Sequence, residues 1–268
     1  MTEPIVAGPW IGEFGWELMS WQGAIRKLAE SRSVIVCCPR GHGELYKDFA
    51  YRIIEHEIDI RRPDCWHGTV IDRAAYDRLI GELAVLGKML GPSGLIPVEV
   101  QKFIKYGAPD RTLENRFDVI IHARAPINDP KRAWPPENWE KLTEILMDHN
   151  LRMAAIGTQA YYPKITADLR NIPLGETMDL MAGATMVVGP SSGPMHLASL
   201  CGTPHIAWTD DKFWPAARMN NRTRYEKAWN PLGTPCKVLD ANGWDPPVET
   251  VASLVLQGIK EWSNRLKP

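Results

Sequence analysis

The chain has 268 residues, 44% hydrophobic and 24% charged, and a formal net charge of −1. That length holds one large domain or two modest ones, and near-neutrality supplies no overall field toward nucleic acid or an anionic membrane. No apolar run approaches the roughly 20 residues that span a bilayer, and MTEPIVAGPW lacks the basic and apolar regions of a signal peptide; the five cysteines (Cys37, Cys38, Cys65, Cys201 and Cys236) lack zinc-like spacing and read as reduced thiols of a cytoplasmic protein.

Taken in order, Ile5 to Ala7 is a short apolar run, followed by a loop with glycines at 8, 12 and 15. A helix is expected from about Trp16 or Glu17, because Leu18, Trp21, Ile25 and Leu28 recur at helical spacing. SVIVCC, 33–38, is continuously apolar and reads as a buried parallel strand. Strand, glycine loop, helix and strand make a βαβ unit, with its loop where open α/β sheets bind ligands. A second loop and helix follow from Pro39; 59–70 reads as polar and irregular, 72–90 as a long helix, and 98–104 as a strand. The polar run 107–116 is where a domain boundary is expected.

The second half opens with a strand at 118–123 and a long polar loop to Asn138. A helix starting at Pro136 and Glu137 runs to about His149; 152–156 is a strand, and short helices are expected at 164–169 and 177–182. Residues 209–246 read as irregular, and 247–266 as a last helix. Alternating strands and helices in both halves predict an α/β fold with mostly parallel sheets.

The stretch TMVVGPSSGPMHLASLCGTPHIAW, 185–208, organises the rest. An apolar strand enters a Gly189–Gly193 turn, Pro194 suits a first helical turn, Gly202 suits a helix C-cap, and His205–Trp208 is the next strand. A helix start offers N–H groups and a positive dipole end to anions. Serines 191 and 192 add hydroxyls. The turn fits a phosphate although it matches neither the Walker nor the dinucleotide glycine pattern.

Ser192, Gly193, His196, Leu197, Ala198, Gly202 and Pro204 resemble the nucleotide-sugar segment of GT-B glycosyltransferases of the heptosyltransferase-like family. KRAWPPENWEKL resembles that family's lysine–Trp-Pro segment, through Trp134, Pro135, Trp139 and Leu142; Gly12-Glu13 resembles its N-terminal glycine–acid pair. The resemblance implies a GT-B-like fold of two Rossmann-like domains, 1–115 for the acceptor and 116–268 for the nucleotide sugar, with the last helix able to return to the first. It also implies inverting, metal-independent transfer from a nucleoside-diphosphate sugar, with no bound cofactor. If both halves are Rossmann-like, the three loops 8–15, 123–135 and 189–193 are expected to face one cleft.

On this reading Glu13 stands where the family has the aspartate that acts as base on the acceptor hydroxyl. Arg124, Lys131, Arg132, Ser191, Ser192, Gly193 and His196 are the diphosphate candidates, because a departing diphosphate gains charge that cations and N–H groups stabilise. Arg132 takes the family lysine's place with Lys131 beside it, and Ser191 replaces a frequent aspartate. Gly157, Thr158, Glu176 and Met195 are candidates for the nucleoside or sugar, as is the Gln159 turn position. Gly12, Trp10 and Trp16 are acceptor candidates, the tryptophans as stacking faces; Glu17 reads as a solvated helix residue that could otherwise help orient the acceptor. Trp21 has core spacing, and Trp208, Trp214, Trp229 and Trp244 are left open.

A nucleotide-sugar epimerase and a non-catalytic nucleotide-sugar or glycan-binding module are the rival readings. The acceptor is expected to be a glycan or lipid-linked hydroxyl, with a DNA base as the alternative.

Overall fold

A computed structural model describes residues 3–94, 96–108, 116–125, 130–158, 160–214 and 219–263, with the backbone alone for 62–64 and 213–214. The chain forms two compact units, 1–103 and 104–268. The division falls inside the segment that the sequence assigned to the first half. Its reason is local: Tyr106 N–H bonds Leu200 O (2.9 Å) and Ala108 N–H bonds the Asp179 carboxylate (2.7 Å), so 104–108 is tied to the second unit.

In the first unit, β1 (Ile5–Ala7) and α1 (Phe14–Ser20) are followed by α2 (Gln22–Ala29), β2 (Val34–Pro39), β3 (Arg52–His56), β4 (Ile60–Asp64), β5 (His67–Val70), α3 (Arg73–Ala84) and β6 (Lys88–Leu90). One four-stranded sheet runs β3-β2-β1-β6, all parallel. Val34 to Cys38 are all buried, as a parallel strand covered on both faces requires. The single helix expected from Trp16 is two, broken at Trp21, whose backbone (φ −133°, ψ −63°) is not helical. The polar stretch 59–70 is the antiparallel hairpin β4–β5, and 72–90 is a shorter helix plus an edge strand. The expected strand at 98–104 is instead a 3-10 turn at 98–100.

The second unit contains β7 (Val119–Ile121), α4 (Pro136–Asp148), β8 (Met153–Ala155), β9 (Ala167–Asp168), α5 (Leu174–Gly183), β10 (Met186–Pro190), α6 (Gly193–Leu200), β11 (His205–Trp208), β12 (Phe213–Trp214), β13 (Met219–Asn220), α7 (Asn221–Thr223), β14 (Cys236–Leu239) and α8 (Val248–Trp262). Its six-stranded sheet runs β14-β11-β10-β7-β8-β9 and is parallel throughout. Numbered from β7, that is the doubly wound order 3-2-1-4-5-6, with the order reversing between β7 and β10. The first unit repeats the same half-pattern, reversing between β1 and β6. The segment 164–169 thus holds a turn and the two-residue edge strand Ala167–Asp168 rather than a helix, and the tail expected to be irregular supplies the opposite edge, β14.

One core of the second unit joins Val119, Ile121, Met186, Val188 and Ile206 to Trp139 and Leu142 of α4 and to Val251 and Val255 of α8. Alternate strand residues point one way, so the period of two feeds one helical layer. The last helix packs, over 248–262, on α4 and β10 of its own unit. Its stripe Val248–Val251–Ala252–Val255 is the cause; residues 264–268 lie outside the described part.

Candidate functional site

In an all-parallel sheet every strand's carboxyl end lies on one edge, and ligands bind where the strand order reverses. In the second unit that point is flanked by the loops after β7 and β10, which carry Arg124 and Ser191.

β10 runs into the turn through the Ser191 N–H, which bonds Trp208 O (2.8 Å). Gly189 is required there: a Cβ would lie 2.7 Å from His122 O. Ser192 is fully extended (φ −168°, ψ 170°) and caps α6 through its carbonyl, which accepts from Met195 N–H (3.1 Å) and His196 N–H (3.3 Å). Pro194 has no N–H. The first-turn donor left over among the described residues is the Gly193 N–H, which no preceding helical turn can satisfy. Ser192 Oγ is buried and has no hydrogen-bond partner among the described residues.

Two guanidiniums converge on this turn. Arg124 Nη1 donates to Ser191 O (2.8 Å), and Arg132 Nη2 donates to the same oxygen (3.0 Å). Arg132 also lies over the Trp244 ring at 4.5 Å. Lys131, beside it in the 3-10 turn 130–132, is exposed, so Arg132 is the cation that reaches the serine turn.

Tyr225, on the irregular turn 224–228, is the residue that sequence reasoning missed. Its phenol donates to Ser191 Oγ (2.9 Å) and accepts from Ser192 N–H (3.1 Å). Burial pushes that phenol up to about 12, so it stays protonated. His196 stacks on Tyr225 (4.5 Å, 15°) and meets Trp229 edge-on at 4.7 Å. Burial, then the nearby Arg224, His205 and Arg132, hold His196 well below the ordinary histidine range. It is neutral, so it can serve this turn as a hydrogen-bonding ring but not as a cation. Nothing in NRTRYEKAW marks Tyr225 by spacing; only the fold brings it to the serines.

The remaining candidates take different positions. Met195 is fully buried, with its sulfur beneath Gly189. Gly157 has φ +117°, and a Cβ there would strike the His122 ring at 2.9 Å. Thr158 beside it is exposed, as is Glu176 in the first turn of α5. Both follow strand ends on the same sheet edge. Gln159 and residues 126–129 lie outside the described part, as does the Trp214 side chain. Trp208 and Trp229 are buried.

In the first unit the loop after β1 holds Gly12 under the β4–β5 hairpin, where a Cβ would lie 2.3 Å from Cys65 O. Glu13 is the N-cap of α1; its N–H bonds Cys65 O (2.8 Å), and its carbonyl accepts from Trp16 and Glu17. Two expectations are corrected here. Trp10 is only 1% exposed, packs 5.8 Å from Trp21 and bonds Gly12 O, so it is a core side chain and not a stacking face. Glu17 is 0% exposed, not solvated: Oε1 accepts from the Tyr46 hydroxyl (2.7 Å), and Oε2 lies 2.6 Å from His42 Nδ1. The helix period puts Glu17 one residue before Leu18 on the inward face, and Trp21's break leaves no polar face there for it. Trp16 is half-buried against Trp66 (5.5 Å, edge-on).

Among the described residues no group of three or more His, Cys, Asp or Glu side chains is placed to hold a metal ion, and no helix is long and apolar enough to cross a membrane.

Comparison with known proteins follows this geometry. Residues 109–231 match the sequence profile of glycosyltransferase family 9 (heptosyltransferase). A family 9 glycosyltransferase from Veillonella parvula superposes with TM-score 0.63 at 12% identity, over 97% of this chain and 97% of that one. The ADP-heptose LPS heptosyltransferase II of E. coli superposes with TM-score 0.61 at 12% identity, over 97% of this chain and 99% of that one. E. coli heptosyltransferase WaaC with ADP gives TM-score 0.54 at 12% identity, over 97% and 99%. No curated protein matches in sequence. The matched segment spans the serine turn, both arginine positions and Tyr225, so this part of the chain is similar to glycosyltransferase family 9, and the chain as a whole has the GT-B-like fold of the superposed heptosyltransferases.

Proposed function

We propose that the enzyme moves a sugar from a nucleoside-diphosphate sugar to a hydroxyl acceptor, with inversion and without a metal. The observation that carries this is the convergence of two guanidiniums, the Ser192 hydroxyl and the Gly193 N–H at the start of α6. Arginine forks and helix N–H groups suit phosphate oxygens. They can take over the charge that develops on a leaving diphosphate, the work a divalent ion would otherwise do. Gly157, Thr158 and Glu176 are proposed for the nucleoside and sugar, on the same sheet edge.

For the acceptor side the proposal uses Gly12, Glu13 and Trp16. Glu13 is the carboxylate addressed to the acceptor hydroxyl, in the base role that the resemblance implies. The acceptor is proposed to be a glycan or lipid-linked hydroxyl, with a DNA base as the other candidate. A cytoplasmic location is proposed from the five cysteines, which form no disulfide.

The test is a thermal-shift screen of ADP, UDP, GDP, CDP and dTDP and their sugar conjugates, with ADP-heptose first because the E. coli relative is named for it. A diphosphate at 100 times its dissociation constant stabilises by about 2.7 kcal/mol. One diphosphate should shift the wild type and lose at least tenfold in affinity with Arg132→Ala, and EDTA should leave that binding and any turnover unchanged. No shift with any member removes the diphosphate site.

A further inference from the structure

Trp244, in the tail of the second unit, has no task in the sugar-transfer reading. It closes the turn 241–244 after β14, at the carboxyl edge of the six-stranded sheet, the edge that also carries the loops of Arg124 and Ser191. The loop around it is tied down on both sides. Asp240 pairs with Arg222, whose Nε donates to Oδ2 (2.8 Å). Asn138 of α4 donates to Asp245 Oδ1 (3.2 Å), and Trp134 Nε1 donates to Pro246 O (3.1 Å). Gly243, at φ +59°, closes the turn through its N–H on Asp240 O (3.3 Å). None of these ties uses the indole of Trp244. The ring is half-buried, with the Arg132 guanidinium over its face at 4.5 Å from the centroid.

Arg132 is a side chain that needs to be held. It sits on the one-turn 3-10 helix 130–132, and so long and flexible a side chain loses much rotamer freedom when it is aimed. One hydrogen bond, from Nη2 to Ser191 O, fixes its tip, and no carboxylate pairs with it among the described residues. Its Nε is buried and has no partner among the described residues, like Ser192 Oγ in the same turn. Buried donors of this kind call for an acceptor. The N–H groups of a guanidinium lie in its plane, whereas an aromatic ring attracts the cation over its face. Stacking on Trp244 therefore orients Arg132 and occupies none of its N–H groups. A carboxylate in the same place would take up two donors and cancel the charge.

We propose that Trp244 is a positioning residue for the donor diphosphate: its ring holds Arg132 so that the edge of the guanidinium, Nε included, is presented to phosphate oxygens. The proposal rests on the sugar-transfer reading and adds to it a residue outside the matched segment 109–231. Trp244 acts through Arg132 and needs no contact with the substrate. With the arginine aimed before the nucleotide sugar arrives, less of the binding free energy goes into ordering it.

The experiment joins 15N NMR of the arginine side chains to calorimetry, with whichever of ADP, UDP, GDP, CDP and dTDP shifts the wild type in the thermal screen. In the unliganded wild type the Arg132 Nε proton should lie upfield of an ordinary arginine, shielded by the indole face, and should move downfield when the diphosphate binds. Trp244→Leu should lose the upfield shift and bind that diphosphate about fivefold more weakly. Trp244→Phe keeps a ring face and should stay within about twofold of the wild type. In an Arg132→Ala background Trp244→Leu should cost nothing further, because the two side chains act as one unit. A merely structural tryptophan would cost the same in both backgrounds. Equal affinity of the wild type and Trp244→Leu, additive losses, or an ordinary Arg132 shift in the wild type overturns the role of Trp244 and leaves the diphosphate site standing. A wild type that binds none of the five diphosphates overturns the sugar-transfer reading and the role of Trp244 with it. The wild-type Arg132 signal, before and after the diphosphate, decides even if a variant fails to fold.

Discussion

Tyr225 shows how much one side chain can organise. Its hydroxyl joins the two serines of the turn, donating to one and accepting from the backbone of the other. Tyr225→Phe keeps the ring stacked on His196 but takes the hydroxyl partner from the half-buried Ser192 N–H, which costs about 1–3 kcal/mol. We expect the diphosphate that binds the wild type to bind about tenfold more weakly by calorimetry, and the unfolding midpoint to fall by about 2–4 °C per kcal/mol lost; an unchanged affinity would remove Tyr225 from the site. Gly12 is a second such residue. A methyl there meets backbone at 2.3 Å and 2.5 Å, so no rotamer relieves it. Gly12→Ala should cost about 1–3 kcal/mol, read by urea unfolding. Neither residue could be weighed in the sequence. Tyr225 depends on a contact 34 positions away. Gly12 looked like ordinary loop flexibility, whereas what fixes it is the hairpin lying over it.

At the scale of elements, the local signals that the sequence read well are those with short range. The strand–turn–helix–strand over 185–208 appears as β10, α6 and β11, because an apolar run, a glycine turn, Pro194 and Gly202 each act on their own neighbours. Elements fixed by distant partners were missed. β14 and β9 are edge strands whose only regular bonds go to β11 and β8, and their own residues carry no alternation. α3 was read too long because Leu79, Leu83, Leu86 and Leu90 keep helical spacing across the point where the chain turns to pair with β1. The Trp-Pro segment was noticed for its resemblance, yet its tryptophans are core. Trp134, Trp139 and Trp208 cluster with centroids 4.8–5.4 Å apart. Trp134 Nε1 bonds Pro246 O, while the Nε1 of Trp139 and of Trp208 are buried without partners among the described residues. Trp139→Ala should therefore cost about 3–5 kcal/mol. Trp139→Phe should stay within about 1.5 kcal/mol of wild type, because it also removes an unpaired donor. Equal losses in chemical denaturation would show that the indole N–H is satisfied after all.

At the scale of the whole molecule, the buried histidines of the second unit and the half-buried His42 of the first respond to pH with opposite signs. In the second unit His122 and His205 are pushed down to about 4, His122 by burial despite its bond to Ile156 O, and His205 by burial despite its bond to Thr203 O. His196 is lowered in the same way. A histidine held neutral in the fold but free to charge in the unfolded chain takes up protons on unfolding below about pH 6.5. The second unit therefore loses stability as pH falls from about 6.5 toward 4, by up to roughly 3 kcal/mol for each of His122 and His205. In the first unit the sign reverses at His42, whose folded value is raised: its contribution is complete below about pH 6.5 and is lost as pH rises through the folded value. His56, lowered by burial, opposes it, so the first unit's net slope is the smaller. A chain of two units need not unfold in one step. Calorimetry should accordingly show the second unit's transition moving down in temperature between pH 7 and pH 5 while the first unit's moves less, splitting one envelope into two. His205→Leu should flatten the pH dependence of the second unit's transition alone. A transition that keeps its slope in that variant would mean that His205 is not a group that takes up a proton when the second unit unfolds, and that the slope comes from His122 and His196.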